Sequence, residues 1–124
     1  MSPDPERRRA AGPVVEGFSA GGFLIDGIAY GALLLTPRRA EAWTAPALAA
    51  LDAAAIAPLL ALDPPPEFLI LGTGAAMAFP PRAFVAALEA RGIGVEAMDS
   101  RAAARTWAML RAEERWIAAA IMPL

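Results

Sequence analysis

The sequence predicts an α/β fold: a single domain with a central mixed β-sheet covered by helices and an N-terminal β-hairpin element. Three observations carry this. From Glu67 onward, apolar runs and helical patterns alternate as strand, helix, strand, helix, strand, the signature of a sheet with helical crossovers. Before that, FLI-DG-IAY (Phe23 to Tyr30) reads as two strands around an Asp-Gly turn, a unit of a different kind. At 124 residues the chain can bury one real core, and alanine supplies about a quarter of it. Much of the hydrophobicity therefore sits in small side chains, which suit helices packed closely on a sheet.

Taken in order, residues 1–13 are rich in proline, arginine and alanine without periodicity and predict a disordered N-terminal arm. The domain is expected over residues 14–124. The second hairpin strand is expected to run on through Gly31 into Leu33-Leu34-Leu35 and stop before Thr36-Pro37, with a short extended piece near Trp43. DAAAIAPLLAL (Asp52 to Leu62) predicts a helix capped by Asp52, with Pro58 kinking it or delaying its start. Pro64-Pro65-Pro66 stops that helix and feeds the apolar strand Phe68 to Leu71. PPRAFVAALEARG predicts a helix with Pro81 in its first turn, Phe84, Val85 and Leu88 facing inward, and Gly92 taking the left-handed position past its end. Ile93 to Met98 reads as a strand. Asp99 or Ser100 then caps a helix to about Arg111, with Ala103, Trp107 and Leu110 as its apolar stripe, and Trp116 to Met122 closes as a strand buried on both faces.

Composition removes much chemistry. The chain has no cysteine and no histidine, so a disulfide framework, a thiolate site and the commonest general base and metal ligand are absent. Every basic residue is arginine, which leaves no Schiff-base amine and no P-loop lysine. A net charge of -2 gives no nucleic-acid footprint. The longest weakly charged window, Ala42 to Leu62, carries Asp52, Pro46 and Pro58 and makes a poor membrane span. The N-terminus lacks the apolar stretch of an export signal.

One motif asks for a functional reading. LILGTG places Gly72, Thr73 and Gly74 directly behind a strand, as in the opening of a dinucleotide loop. The third glycine of G-x-G-x-x-G is replaced by Met77, and Pro80-Pro81 delays the helix whose amides would meet a phosphate. Glu96, about 24 residues after Gly72, stands near where a ribose-binding acid belongs. Against the nucleotide reading stand two others. The glycines serve a sharp exit from a buried strand, with backbone angles closed to other residues, or the turn lines a pocket or docking groove at the carboxyl edge of the sheet.

Glu96 and Asp99 precede Arg101 and Arg105, which suits either ion or substrate binding or a capped, solvated helix face. Arg111, Glu113, Glu114 and Arg115 read as a salt-bridged helix end that bears on solubility or partner choice. Ser19, Thr73, Ser100 and Thr106 are the best-placed hydroxyls, with no histidine or lysine to activate them. Trp43, Trp107 and Trp116 are expected as core or interface anchors.

Together, LILGTG, GIGVEAM, the run from Asp99 to Leu124 and the hairpin GGFLIDGIAYGALLLTP followed by Trp43 resemble a small single-domain family of archaeal and bacterial proteins. Its mitochondrial members are assembly factors for respiratory complex I. The resemblance runs from about Gly17 onward and is most specific in Gly72-Thr73-Gly74, Glu96, Met98, Ala103, Arg105-Thr106, Leu110, Glu113 and Arg115. Two positions depart: Ala108 stands where the family commonly has asparagine, and Glu114 where it commonly has glycine. The first weakens any ligand role that asparagine would serve.

The resemblance implies a three-layer α/β domain without established enzymatic activity, whose eukaryotic relatives act by binding other proteins; the missing side-chain types add the expectation of no catalysis, cofactor or metal. The leading expectation is a cytoplasmic interaction factor that helps assemble respiratory complex I or a similar membrane complex. It would work at the inner face of the cell membrane, with peripheral association at most and complex I subunits or assembly factors as partners. Its pocket or docking groove would comprise Gly72, Thr73, Gly74, Glu96, Arg105 and Thr106, and its interaction surface Arg101, Arg111, Glu113 and Arg115. The alternative is a small-ligand or nucleotide-binding domain using the Gly72–Gly74 turn with Glu96 and Arg105. Homodimerisation through a hairpin edge or a tryptophan-bearing face is a further expectation.

Overall fold

The computed structural model describes residues 12–19 and 21–124, with the side chain of Ser19 outside that description. The expected arm and its Arg7-Arg8-Arg9 run therefore fall almost wholly outside the described residues. Two sheets are present. Strands β1 (Val15–Ser19), β2 (Gly22–Ile25) and β3 (Ile28–Tyr30) form an antiparallel sheet in that order. Strands β4 (Leu33–Leu35), β5 (Ala40–Ala42), β6 (Phe68–Gly72), β7 (Gly94–Met98) and β8 (Ala118–Ile121) form a second sheet ordered β5-β4-β8-β6-β7. In it β6 runs parallel to β7 and β8, while β4 runs antiparallel to β5 and β8, so the central sheet is mixed as expected.

Alternation along its strands makes two cores. Leu34, Leu69, Leu71, Ala118 and Ala120 pack beneath Ile56 and Leu59 and beneath Phe84 and Leu88 of α2 (Arg82–Glu89). Leu33, Leu35, Ile70, Ala119 and Ile121 face the other way, onto Ala103, Ala104 and Trp107 of α3 (Ser100–Ala112) and onto Phe23 and Ile25 of β2. The three layers are thus helices, mixed sheet, and a third layer shared between α3 and the small sheet. Ala118-Ala119-Ala120 sit fully buried in β8, the strand between β4 and β6. Small side chains there let both outer layers approach closely.

The Asp26-Gly27 turn forms as expected, with φ of 50° and 80° at its two residues, the twist that matches a two-residue hairpin. Two expectations for this region need correction. The hairpin is extended by β1, which Glu16-Gly17 hid by breaking the alternation; the register shifts between Val15 and Gly17. The second hairpin strand does not continue to Leu35. It ends at Tyr30, because Ile28 and Ala29 are exposed whereas Leu33 to Leu35 are all buried, so the chain leaves one sheet and enters the other across Gly31-Ala32.

Between Asp52 and Leu62 the α-helix starts late, as one of the two readings of Pro58 expects: a 3₁₀ turn, Ala53–Ile56, precedes one short turn, α1 (Ala57–Leu60). Asp52 does cap the first, its carboxylate accepting from the Ala55 N–H at 3.0 Å. Pro58 falls in the first turn of the second, where its missing N–H is harmless. Trp43 donates its indole N–H to the Ala55 carbonyl at 3.0 Å, and Trp116 donates to the Pro64 carbonyl at 2.7 Å, so both anchor loops to the sheet. Trp107 is fully buried, and its indole N–H has no hydrogen-bond partner among the described residues.

Candidate functional site

The Gly-Thr-Gly turn leaves β6 at the carboxyl edge of the parallel strands, beside the N-terminus of α3. Asp99 caps that helix, its carboxylate accepting from the Ala102 N–H at 2.9 Å. The next residue, Ser100, is buried and ties three segments together. Its hydroxyl accepts from the Gly74 N–H at 2.8 Å and donates to the Met122 carbonyl at 2.7 Å. Its own N–H donates to the Gly74 carbonyl at 2.8 Å, and the Met122 N–H donates to the Gly72 carbonyl at 3.0 Å.

Thr73 is equally committed. Its backbone N–H donates to the Met98 carbonyl at 2.8 Å. Its hydroxyl donates to the Ala76 carbonyl at 2.7 Å, with the Met98 carbonyl at 3.2 Å, and accepts from the Ala78 N–H at 3.0 Å. A phosphate cradle works by offering unpaired backbone N–H groups to the anion. In this turn the N–H groups of Thr73 and Gly74 are both engaged within the protein.

The two glycines serve different ends. Gly74 has φ +110°, a conformation that other residues rarely adopt. Gly72 needs space rather than freedom of rotation. A Cβ there would lie 2.9 Å from the Ser100 hydroxyl, 3.0 Å from the Ser100 Cα and 3.1 Å from the Ala103 Cβ. The expectation that backbone angles explain both glycines holds for Gly74, and Gly72 is explained by the closeness of α3 to β6.

The remaining candidates spread along α3 and β7. Glu96 pairs in register with Ile70 on β6 and so shares its face of the sheet, the face that α3 covers, but it is exposed because β7 is an edge strand. Arg105 is exposed on α3 and Thr106 half-buried. Among the described residues no ion pair joins Glu96 to Arg105. Arg101 lies near the top of α3, with its guanidinium 5.8 Å from the Phe18 ring on β1. Arg111, Glu113 and Arg115 lie at the other end of this helix, roughly 20 Å away for its length. Ala108, where the resembled family commonly has asparagine, is exposed on the helix.

At that far end Arg115 reaches out of the cluster. Its guanidinium pairs with Glu67 at 2.8 Å and lies 5.8 Å from the Phe68 ring, so it ties the helix end to the start of β6. Arg111 donates to the Arg115 carbonyl at 2.7 Å. Burial pushes the Arg111 guanidinium down from its ordinary value, partly offset by the charge of Glu114. The helix ends in a Schellman motif: the Glu114 N–H donates to the Arg111 carbonyl at 2.9 Å and the Arg115 N–H to the Leu110 carbonyl at 3.0 Å. Glu114 has φ +60°. The glycine that the resemblance places there would meet a real backbone requirement.

Two features had little signal in the sequence. Ser100 was one hydroxyl among several, and only its burial reveals its joining role. The other is the apolar tip after the turn, where Met77 is 46% and Phe79 84% exposed. Its signal is a charge-free run from Thr73 to Pro81, a region that forms neither helix nor strand.

Comparison with known proteins agrees with this architecture. A crystal structure of a protein from Bordetella parapertussis superposes with TM-score 0.82 at 31% identity, covering 92% of this chain and 98% of that one. A solution structure of a Bordetella pertussis protein described as a Mth938-like domain gives TM-score 0.76 at 28% identity, covering 99% of this chain and 91% of that one. Among curated proteins, the chain is 30% identical over 119 residues to NADH dehydrogenase [ubiquinone] 1 alpha subcomplex assembly factor 3 of Danio rerio, covering 95% of this chain and 68% of that protein. It is 33% identical over 111 residues to an uncharacterised protein of Rhodobacter capsulatus, covering 89% of this chain and 84% of that protein. With residues 15–122 matching the family model, the chain belongs to the protein family of unknown function DUF498/DUF598.

Proposed function

We propose that this chain is a non-enzymatic protein-binding factor that assists assembly of respiratory complex I or a similar membrane complex. The observation that carries the reading is its similarity, over 95% of its length, to a protein named as a complex I assembly factor. The missing histidine, cysteine and lysine, and the engaged amides of Thr73 and Gly74, support a role in binding rather than catalysis. No helix among the described residues is long and apolar enough to cross a membrane, so contact with a membrane complex would run through protein surfaces. On this reading the factor works in the cytoplasm at the inner membrane face. The solvent-facing side of α3 and the β7 edge, with Arg101, Arg105 and Glu96, form the partner surface.

The experiment is a deletion strain with quantification of assembled complex I, alongside a pull-down from the same cells. Reduced assembly and capture of complex I subunits or assembly factors are expected. Charge reversal at Arg101 and Arg105 together should lower capture at least about tenfold while leaving the melting point in place. Normal assembly, with no such protein captured, would end the proposal.

A further inference from the structure

The outer face of α2 carries opposite charges at its two ends. Arg82, Ala86 and Glu89 stand at positions i, i+4 and i+7 and share one stripe; all three are exposed. Ala83, Ala87 and Ala90 flank the stripe and are exposed as well. Neither Arg82 nor Glu89 has an ion-pair partner among the described residues. Beside them lies a groove of about 620 Å³, bounded by Phe79, Pro80, Arg82, Val85, Ala86 and Glu89.

The placement of the two charges is unfavourable for an isolated helix. The first turn of α2 carries no acid and the last no base; Arg82 occupies its N-terminus and Glu89 its C-terminal turn. A helix dipole favours the opposite arrangement, by a few tenths of a kcal/mol or more per charge. An antiparallel copy reverses the sign of that effect. Each Arg82 then lies beside the C-terminal turn of the other helix, and each Glu89 beside the other N-terminus.

We propose that α2 is the contact surface of an isologous homodimer, a second copy docking antiparallel about a two-fold axis beside Ala86. Arg82 pairs with the partner's Glu89, and by symmetry Glu89 pairs with the partner's Arg82. The alanines let the two backbones approach to the short end of helix-packing distances, about 8 Å. Phe79, just ahead of the helix, covers the C-terminal turn of the other copy and loses its exposure. This contact is separate from the assembly reading and stands or falls without it.

Sedimentation velocity on the full chain, from roughly 1 to 500 µM to span a small interface, measures the association. The wild-type chain is expected to dimerise as concentration rises. R82E and E89R should each weaken association at least about tenfold, since each places like charges together twice. The double variant R82E/E89R restores opposite charges and should return to within about threefold of wild type. Ala86→Arg, a surface change that leaves the core untouched, should abolish the dimer without moving the melting point of the monomer. A chain that stays monomeric throughout, a dimer indifferent to these changes, or loss in the single variants without recovery in the double variant would each overturn the proposal.

Discussion

The two ends of α3 solve the same problem with different success. At the N-terminus every demand is met: Asp99 caps the first turn, Ser100 joins Gly74 to Met122, and Gly72 leaves room for the helix to sit against β6. At the C-terminus the Schellman hydrogen bonds form, but the left-handed position is held by Glu114 rather than glycine. The end of α2 shows the alternative, since Gly92 takes φ +78° there and the Ile93 N–H reaches the Leu88 carbonyl at 3.0 Å. One end of α3 therefore tolerates almost no change, and the other can be improved by a single one.

The largest expected effect tests the tight end. Gly72→Ala places a methyl group against backbone and side-chain atoms of α3, and overpacking of this kind costs about 2–3 kcal/mol. Urea denaturation of the purified variant measures it, and a loss below about 1 kcal/mol would mean that α3 shifts freely on the sheet. Ser100→Ala comes next. It leaves the Gly74 N–H and the Met122 carbonyl without the hydroxyl that now serves both, for about 2 kcal/mol. A near-neutral result in the same titration would show that those two groups find other partners.

The smallest effect has the opposite sign. Glu114→Gly removes the cost of a side chain at φ +60° but gives back backbone entropy to the unfolded chain, for a net gain of about 0.5–1 kcal/mol. The Glu114 charge also supports Arg111, so a small part of that gain is returned. Destabilisation in the urea experiment would mean that the interactions of Glu114 outweigh its backbone strain, and the contrast between the two helix ends would fail.

Much of this was legible from residues alone. The strand–helix alternation after Glu67 was readable because each element has its own period and its own stop: Pro64-Pro65-Pro66, Pro81, Gly92 and Asp99. The break after Tyr30 was not, because IAYGALLL is apolar throughout and local pattern does not say which sheet a strand joins. The Asp52 to Leu62 segment was half legible: the cap was visible, but the division into a 3₁₀ turn and a short helix depends on how Ile56 and Leu59 reach the core. The Gly-Thr-Gly turn was located correctly, yet its use was hidden. Whether an amide is open to a ligand depends on Met98 and Ser100, more than twenty residues away in the chain.

The sequence alone determined what could be excluded and what order the elements take, since missing side-chain types and local periodicity need no partners to be read. It also marked Glu114 as a departure. Only the tertiary structure decided that Gly72 serves packing while Gly74 serves rotation, that Ser100 is a joint, and that Arg82 and Glu89 face outward on one stripe. Those are relations between residues distant along the chain or facing one direction in space, and they come into being when the sheet brings its layers together.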